Sequence, residues 1–194
     1  MTVSDSNIQP KQDEKNGFIT GCFEWVEALI TALIAVMVLF VFFFRLNVVV
    51  QGPSMEPNYM NGYRVFVNCV DRKFTGGDVV VIDADGTHLP QKERIIKRVI
   101  ATEGQKVNID FINGYVFVND KKLDESAYIQ NGITKVQGNV QFPLTVPKGK
   151  LFVLGDNRPV SQDSRYDTVG FIDARYVMGK VPFLLSPFRG FSSK

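Results

Sequence analysis

Two hydrophobic patterns divide the chain. Residues 28 to 44 read ALITALIAVMVLFVFFF, with no charge among them. Joined to Trp25 and Val26, the run approaches the ~20 residues that a helix needs to cross hydrocarbon. It is apolar on every side, whereas a core helix keeps a polar face. Trp25 and Arg45 stand near its ends, as interfacial anchors do. A cleaved leader is the competing reading. Against it stand the length of the run, its acidic N-terminal flank, and the bulky Phe42-Phe43-Phe44-Arg45-Leu46 where small residues would be needed. The pattern therefore predicts one uncleaved membrane anchor over residues 25–45. A polar, largely disordered tail over 1–24 is expected before it.

From Leu46 onward the period changes to two. Strands are expected over 46–50, 63–67, 78–82, 94–100, 107–112, 115–118, 151–154 and 176–185. Asn113-Gly114 lies between two of these runs and is a strong hairpin signal. Residues 119–147 are polar and read as a variable insertion, with weak strands near Tyr128 and Val140. No long helical period follows the anchor. The stretch 181–187 is too short, and too broken by proline, for a second span. The expected fold is mainly β: an antiparallel β-rich domain over 46–194 behind one N-terminal transmembrane helix.

Composition supports this and narrows the partners. Sixteen phenylalanines favour strands over a helical bundle. A formal net charge of only +2 gives no footprint for nucleic acid. Charge is uneven, however. Residues 1–24 carry two lysines against four acids, while 45–194 carry twenty basic against fifteen acidic residues. A mildly basic domain beside a lipid bilayer is drawn to anionic headgroups, although a solvated surface reads the same way. Lys11 and Lys15 on one flank balance Arg45 and Arg64 on the other, so charge alone does not orient the anchor. If the helix spans, Cys22 and Cys69 lie on opposite faces of the membrane and cannot pair within one chain. With His88 the only histidine, no metal site and no cofactor are expected. The oligomeric state is not legible.

Three clusters carry possible chemistry. In QGPSMEPNYM, Ser54 lies between Pro53 and Pro57 in a turn. A serine hydroxyl is a weak nucleophile until a neighbour takes its proton. His88 lies in a loop by composition, and nothing marks it as a base. Lys97 is the better candidate. In a strand, Ile95, Lys97 and Val99 share one face, and Ile96, Arg98 and Ile100 share the other. On a buried face, desolvation lowers a lysine pKa and leaves an amine able to accept a proton. In the alternative, Lys97 and Arg98 both snorkel from an edge strand, and periodicity alone favours it. The third cluster, GDNRPVSQDSR over 155–165, holds two acids, two arginines and two serines. It either satisfies itself or orients a catalytic group; composition does not choose.

In this order, the pieces resemble the bacterial signal peptidase I family. The resemblance rests on the anchor, Ser54-Met55-Glu56-Pro57, Gly77-Asp78-Val79-Val80, Lys97-Arg98-Val99 and GDNRPVSQDSR. The single anchor and short domain look like the compact form common in Gram-positive bacteria. The resemblance implies an antiparallel β-sheet catalytic domain of signal peptidase type. It implies a serine endopeptidase with Ser54 as nucleophile and Lys97 as general base. Ser161 would hydrogen-bond the lysine amine. Asp163 and Arg165 would pair, and Asp156 and Asn157 would shape the turn. Substrates would be secreted preproteins carrying signal peptides, cut after small residues in an A-x-A pattern. They would lie extended beside the strands, with Val48, Val50, Met55 and Ile96 lining shallow apolar pockets. The N-terminus would be cytoplasmic and the catalytic domain extracytoplasmic. The chain departs from the family at Gly52, where some relatives supply a hydroxyl to the oxyanion hole. It departs again at Asn58, where threonine is common, and at Glu103-Gly104-Gln105. A peptidase dedicated to one pilus or conjugation substrate, and a non-catalytic tethered homologue, are the competing readings.

Overall fold

The computed structural model describes residues 10–45, 47–84, 94–129, 134–182 and 184–186. The expected loop around His88 and the expected strand start at Leu46 lie outside the described residues. The chain divides into two units, Met1–Arg45 and Leu46–Lys194.

Among its described residues the first unit holds one helix, α1 (Pro10–Arg45), 36 residues long. At 1.5 Å per residue it measures about 54 Å, longer than the ~30 Å of a hydrocarbon core. Its apolar side chains from Phe23 to Phe40 are exposed along the whole length. Among the described residues it is the one helix long and apolar enough to cross a membrane. The disordered tail expected over 1–24 is helical from Pro10 onward. Proline suits the first helical turn, and Lys11, Gln12, Glu14 and Lys15 are good helix formers that extend a helix already nucleated downstream.

Among its described residues the second unit carries twelve short strands: β1 (Asn47–Val49), β2 (Arg64–Phe66), β3 (Val79–Ile82), β4 (Ile95–Thr102), β5 (Lys106–Asp110), β6 (Tyr115–Val118), β7 (Lys121–Lys122), β8 (Leu144–Thr145), β9 (Lys150–Leu154), β10 (Ile172–Asp173), β11 (Val177–Lys180) and β12 (Leu184–Ser186). They form three antiparallel sheets, ordered β1-β2-β12, β10-β9-β4-β3-β11 and β7-β6-β5-β8. In the largest sheet β4 is the middle strand, with β3 and β9 on either side. Both faces of this sheet are covered, so Val79–Ile82 is buried at every position. On one side Val80, Ile82, Val99 and Val153 form a core. On the other, Val79, Val81 and Ile96 pack against Val48, Val50, Met55 and Val65. The small sheet joins a third core through Phe111, Phe142, Phe152 and Phe171, whose rings meet edge to face at 5.7, 5.9 and 6.3 Å. Much of the phenylalanine content of the β domain is used there.

Three local expectations change. The run expected over 176–185 is two strands, β11 on β3 and β12 on β2, separated around Pro182, which cannot donate to a ladder. The connection at Asn113-Gly114 is a four-residue turn, not a two-residue one, because Asp110 pairs with Tyr115. The Asp110 carboxylate caps the N–H groups of Ile112 and Asn113 and so stabilises the longer turn. No strand forms near Tyr128 or Val140 among the described residues. Hydrogen bonds from Tyr128 and Ile129 to the Glu125 carbonyl curl that segment into a turn.

Candidate active site

Ser54 sits in the loop that links β1 to β2. The loop closes on itself through Val50 N–H to Tyr63 O at 2.8 Å and Gly62 N–H to Val50 O at 2.9 Å. Gly52 turns the chain with φ of 79°, a conformation that side-chain-bearing residues avoid. Met55 is fully buried in the core beside β3 and β4. It anchors the turn and leaves its neighbour Ser54 at the surface of a cleft. That cleft holds about 280 Å³, and its lining includes Gln51, Ser54, Ile96, Lys97, Val160 and Gln162.

Lys97 comes from the middle strand, not from an edge. It is 4% exposed, and its Nζ lies 2.7 Å from Ser54 Oγ. The snorkelling alternative is thereby removed: strand β4 has no solvent edge along which both cations escape. Burial lowers the Lys97 pKa to about 8; Asp163 and Asp156 oppose this, and Arg165 adds to it. At neutral pH about one amine in ten then lacks its proton.

This arrangement has a stability consequence of definite sign. Below about pH 8 the lysine is charged in both folded and unfolded chains, and the folded state bears the full desolvation cost. Between about 8 and 10.5 only the unfolded chain holds the proton, so stability rises with pH through that window. Lys97→Met removes the buried charge. It is expected to raise unfolding stability at neutral pH by at most about 3 kcal/mol. The gain should vanish toward pH 10.5, read by urea denaturation at both pH values.

The 155–165 loop presses against Ser54. Asn157 donates its backbone N–H to Ser54 O at 3.0 Å and its side-chain amide to Pro53 O at 3.1 Å. Asp163 and Arg165 pair as expected, with Nε to Oδ1 at 2.8 Å and both side chains fully buried. Asp163 also accepts the Gly155 N–H at 3.0 Å. Arg165 donates to the carbonyls of Arg158, Ser161 and Val136.

Two expected roles differ. Ser161 does not hydrogen-bond the Lys97 amine; its buried Oγ has no hydrogen-bond partner. It packs over Gly155, so closely that a Cβ there would fall 2.2 Å from Ser161 Oγ. Asp156 does more than shape the turn. It accepts from Arg98 Nε at 2.7 Å and Nη2 at 2.6 Å, a buried two-point pair. Removing one partner of such a pair leaves a buried charge unpaired. Asp156→Ala is therefore expected to cost about 3–5 kcal/mol in chemical denaturation.

The expected pocket residues divide as well. Ile96 lines the cleft, but Val48, Val50 and Met55 are buried in the core. Alternation along β1 assigns Val48 and Val50 to one face; that face is covered by β3 and β4, while Val49 points outward, 46% exposed.

Residues outside the expected site join it. Asn58 bridges Asp156 Oδ2 at 2.8 Å and the Tyr128 carbonyl at 2.6 Å. Arg158 is buried and pairs with Glu125, Nη2 to Oε1 at 2.5 Å. Glu125 and Tyr128 belong to the polar stretch read as a variable insertion, and no local pattern marks them. No group of three or more His, Cys, Asp or Glu side chains able to hold a metal occurs among the described residues.

Known proteins are similar to this chain over most of its length. A family model described as signal peptidase, peptidase S26, matches residues 22–186. Signal peptidase I of Bacillus licheniformis is 35% identical over 176 residues, covering 86% of this chain and 89% of that protein. Signal peptidase IB of Staphylococcus aureus strain Mu50 is 35% identical over 187 residues, covering 87% and 93%. The crystal structure of a signal peptidase I from Enterococcus faecalis V583 aligns with a TM-score of 0.42 at 29% identity, covering 56% of this chain and 97% of that one. The sequence matches define the class: an S26-type peptidase, built here on antiparallel sheets. The chain belongs to the signal peptidase I family.

Proposed function

We propose that this peptidase removes signal peptides from exported preproteins with Ser54 as nucleophile and Lys97 as general base. The observation that carries the reading is the 2.7 Å contact between Ser54 Oγ and the buried Lys97 amine. The neutral amine takes the Oγ proton as Oγ attacks the scissile carbonyl. The oxyanion meets the Ser54 N–H, which makes no hydrogen bond among the described residues. Gly52 brings no hydroxyl, and its N–H is already donated to Asn61 Oδ1 at 3.1 Å. The charged Lys97 then protonates the leaving amine. Water attacks the acyl ester, Lys97 takes the water proton, and Ser54 recovers its own. Asp163, Arg165, Asp156 and Asn157 hold the loop behind the serine, and Ser161 packs beneath it.

A cleft of about 280 Å³ accommodates short side chains, which supports cleavage after small residues. A preprotein with A-x-A before the bond is expected to be cut by the wild type and left intact when bulky residues replace either alanine, as read by gel shift and N-terminal sequencing. Equal cleavage of both rules out that specificity. Cleavage of many unrelated preproteins separates a general signal peptidase from one dedicated to a single pilus or conjugation substrate.

The exposed apolar surface of α1 supports a single membrane span, with the N-terminus in the cytoplasm and the peptidase domain outside. Cys69, which is exposed, is expected to react with an impermeant thiol reagent in intact cells, and Cys22 to be shielded. Labelling of Cys22 alone would reverse the orientation.

A further inference from the structure

Gly155 is the point at which the site touches the loop behind it. A Cβ at Gly155 would fall 2.5 Å from the Ser54 carbonyl oxygen as well as against Ser161. The backbone at Gly155 is therefore in contact with both serines, and a shift there moves Ser54. Two arginines hold the Gly155–Asp156 peptide. Arg158 Nε donates to Gly155 O at 2.9 Å, and Arg98 grips the Asp156 carboxylate.

Both arginines lean on one short segment. Arg158, 1% exposed, donates its other nitrogens to the Glu125 carboxylate and to Thr134 Oγ1. The Arg98 guanidinium lies 4.0 Å over the Tyr128 ring. The Tyr128 hydroxyl donates to Glu125 Oε1 at 3.1 Å, which joins the two arms. Asn58 ties the Tyr128 carbonyl back to Asp156. The circuit from Asp156 through Arg98, Tyr128, Glu125 and Arg158 to Gly155 is continuous. Buried ion pairs contribute little net stability compared with apolar packing. They do fix geometry, and a 1 Å misplacement of a reacting group costs about 100-fold in rate.

We propose that Glu125 and Tyr128 are positioning residues. The turn that carries them is a buried brace that fixes the Gly155–Asp156 peptide and so holds Ser54 in line with Lys97. This rests on the Ser54–Lys97 reading of the site.

The test uses the full chain in lipid vesicles and an A-x-A preprotein, with kcat and KM measured separately and thermal unfolding followed alongside. Glu125→Gln and Tyr128→Phe are each expected to lower kcat about 10-fold or more and to leave KM within about twofold. The double variant Glu125→Met with Arg158→Met removes both buried charges. It is expected to regain the thermal stability lost in Glu125→Gln, while kcat stays about 10–100-fold low. A kcat that recovers together with stability makes the pair purely structural and overturns the proposal. So does a loss carried by KM alone. Tyr128→Phe deletes a single oxygen and decides the matter if the double variant does not fold: an unchanged kcat counts against the brace. Ser54→Ala in the same assay keeps the two readings apart. If Ser54→Ala still cleaves, the nucleophile assignment fails. If Ser54→Ala is dead and the brace variants are fully active, only the brace fails.

Discussion

Ser54→Ala is expected to reduce preprotein cleavage about 10^4-fold or more while leaving the fold intact. The Ser54 hydroxyl contacts the Lys97 amine, and in the proposed mechanism its loss removes the bond-forming atom itself. What remains is whatever the cleft and the backbone N–H groups give a water molecule, and in serine peptidases that residue of activity is small. Ser54 is half-buried, and its backbone carbonyl, not its side chain, receives the Asn157 N–H. The fold therefore loses little. Unfolding by urea should show a midpoint close to wild type, and substrate should still bind. Cleavage at a rate near wild type would remove Ser54 from the chemistry.

Lys97→Arg is expected to lower kcat about 10^3-fold. Arginine keeps the charge and much of the length, but a guanidinium does not give up its proton in proteins. It cannot serve as a base at any accessible pH. The substitution also forces a larger planar cation into a position that is 4% exposed, so thermal unfolding should fall as well. Lys97→Met separates these effects. It is equally inactive, yet more stable than wild type at neutral pH because the cost of burying an ammonium is gone. Loss of activity joined to a gain in stability is what distinguishes a base held at a cost from a lysine that merely packs. A merely structural lysine would lose both together.

The long apolar helix and most of the strands were legible in the sequence because composition and period report them directly. An uninterrupted apolar run states its own length, and β6 falls at Tyr115–Val118 as the alternation predicts. What alternation does not report is which elements cover a strand. It put Lys97 and Arg98 on opposite faces, but not in the middle of a sheet with both faces closed. The family resemblance implied that Val48, Val50 and Met55 line pockets, yet packing against β3 and β4 makes them core. Ion pairs across long separations were the other gap. Asp156 and Arg98 are 58 residues apart, and nothing near either names its partner. Asn58 stood out only as a departure from a family pattern, yet its amide bridges Tyr128 and Asp156, 70 and 98 residues away. Glu125 and Tyr128 sit among polar residues of low strand propensity, where composition reads as a solvated insertion. Only the fold shows that their side chains turn inward to the arginines.

The central claim is that a neutral Lys97 takes the proton of Ser54, and the pH dependence of kcat/KM tests it most directly. The account predicts a single ascending limb with a midpoint near 8, set by the buried amine of the free enzyme. That limb should be unchanged in His88→Ala. A limb centred near the ordinary histidine range of about 6.5 that disappears in His88→Ala, or a rate that stays flat as pH rises through 8, would contradict it.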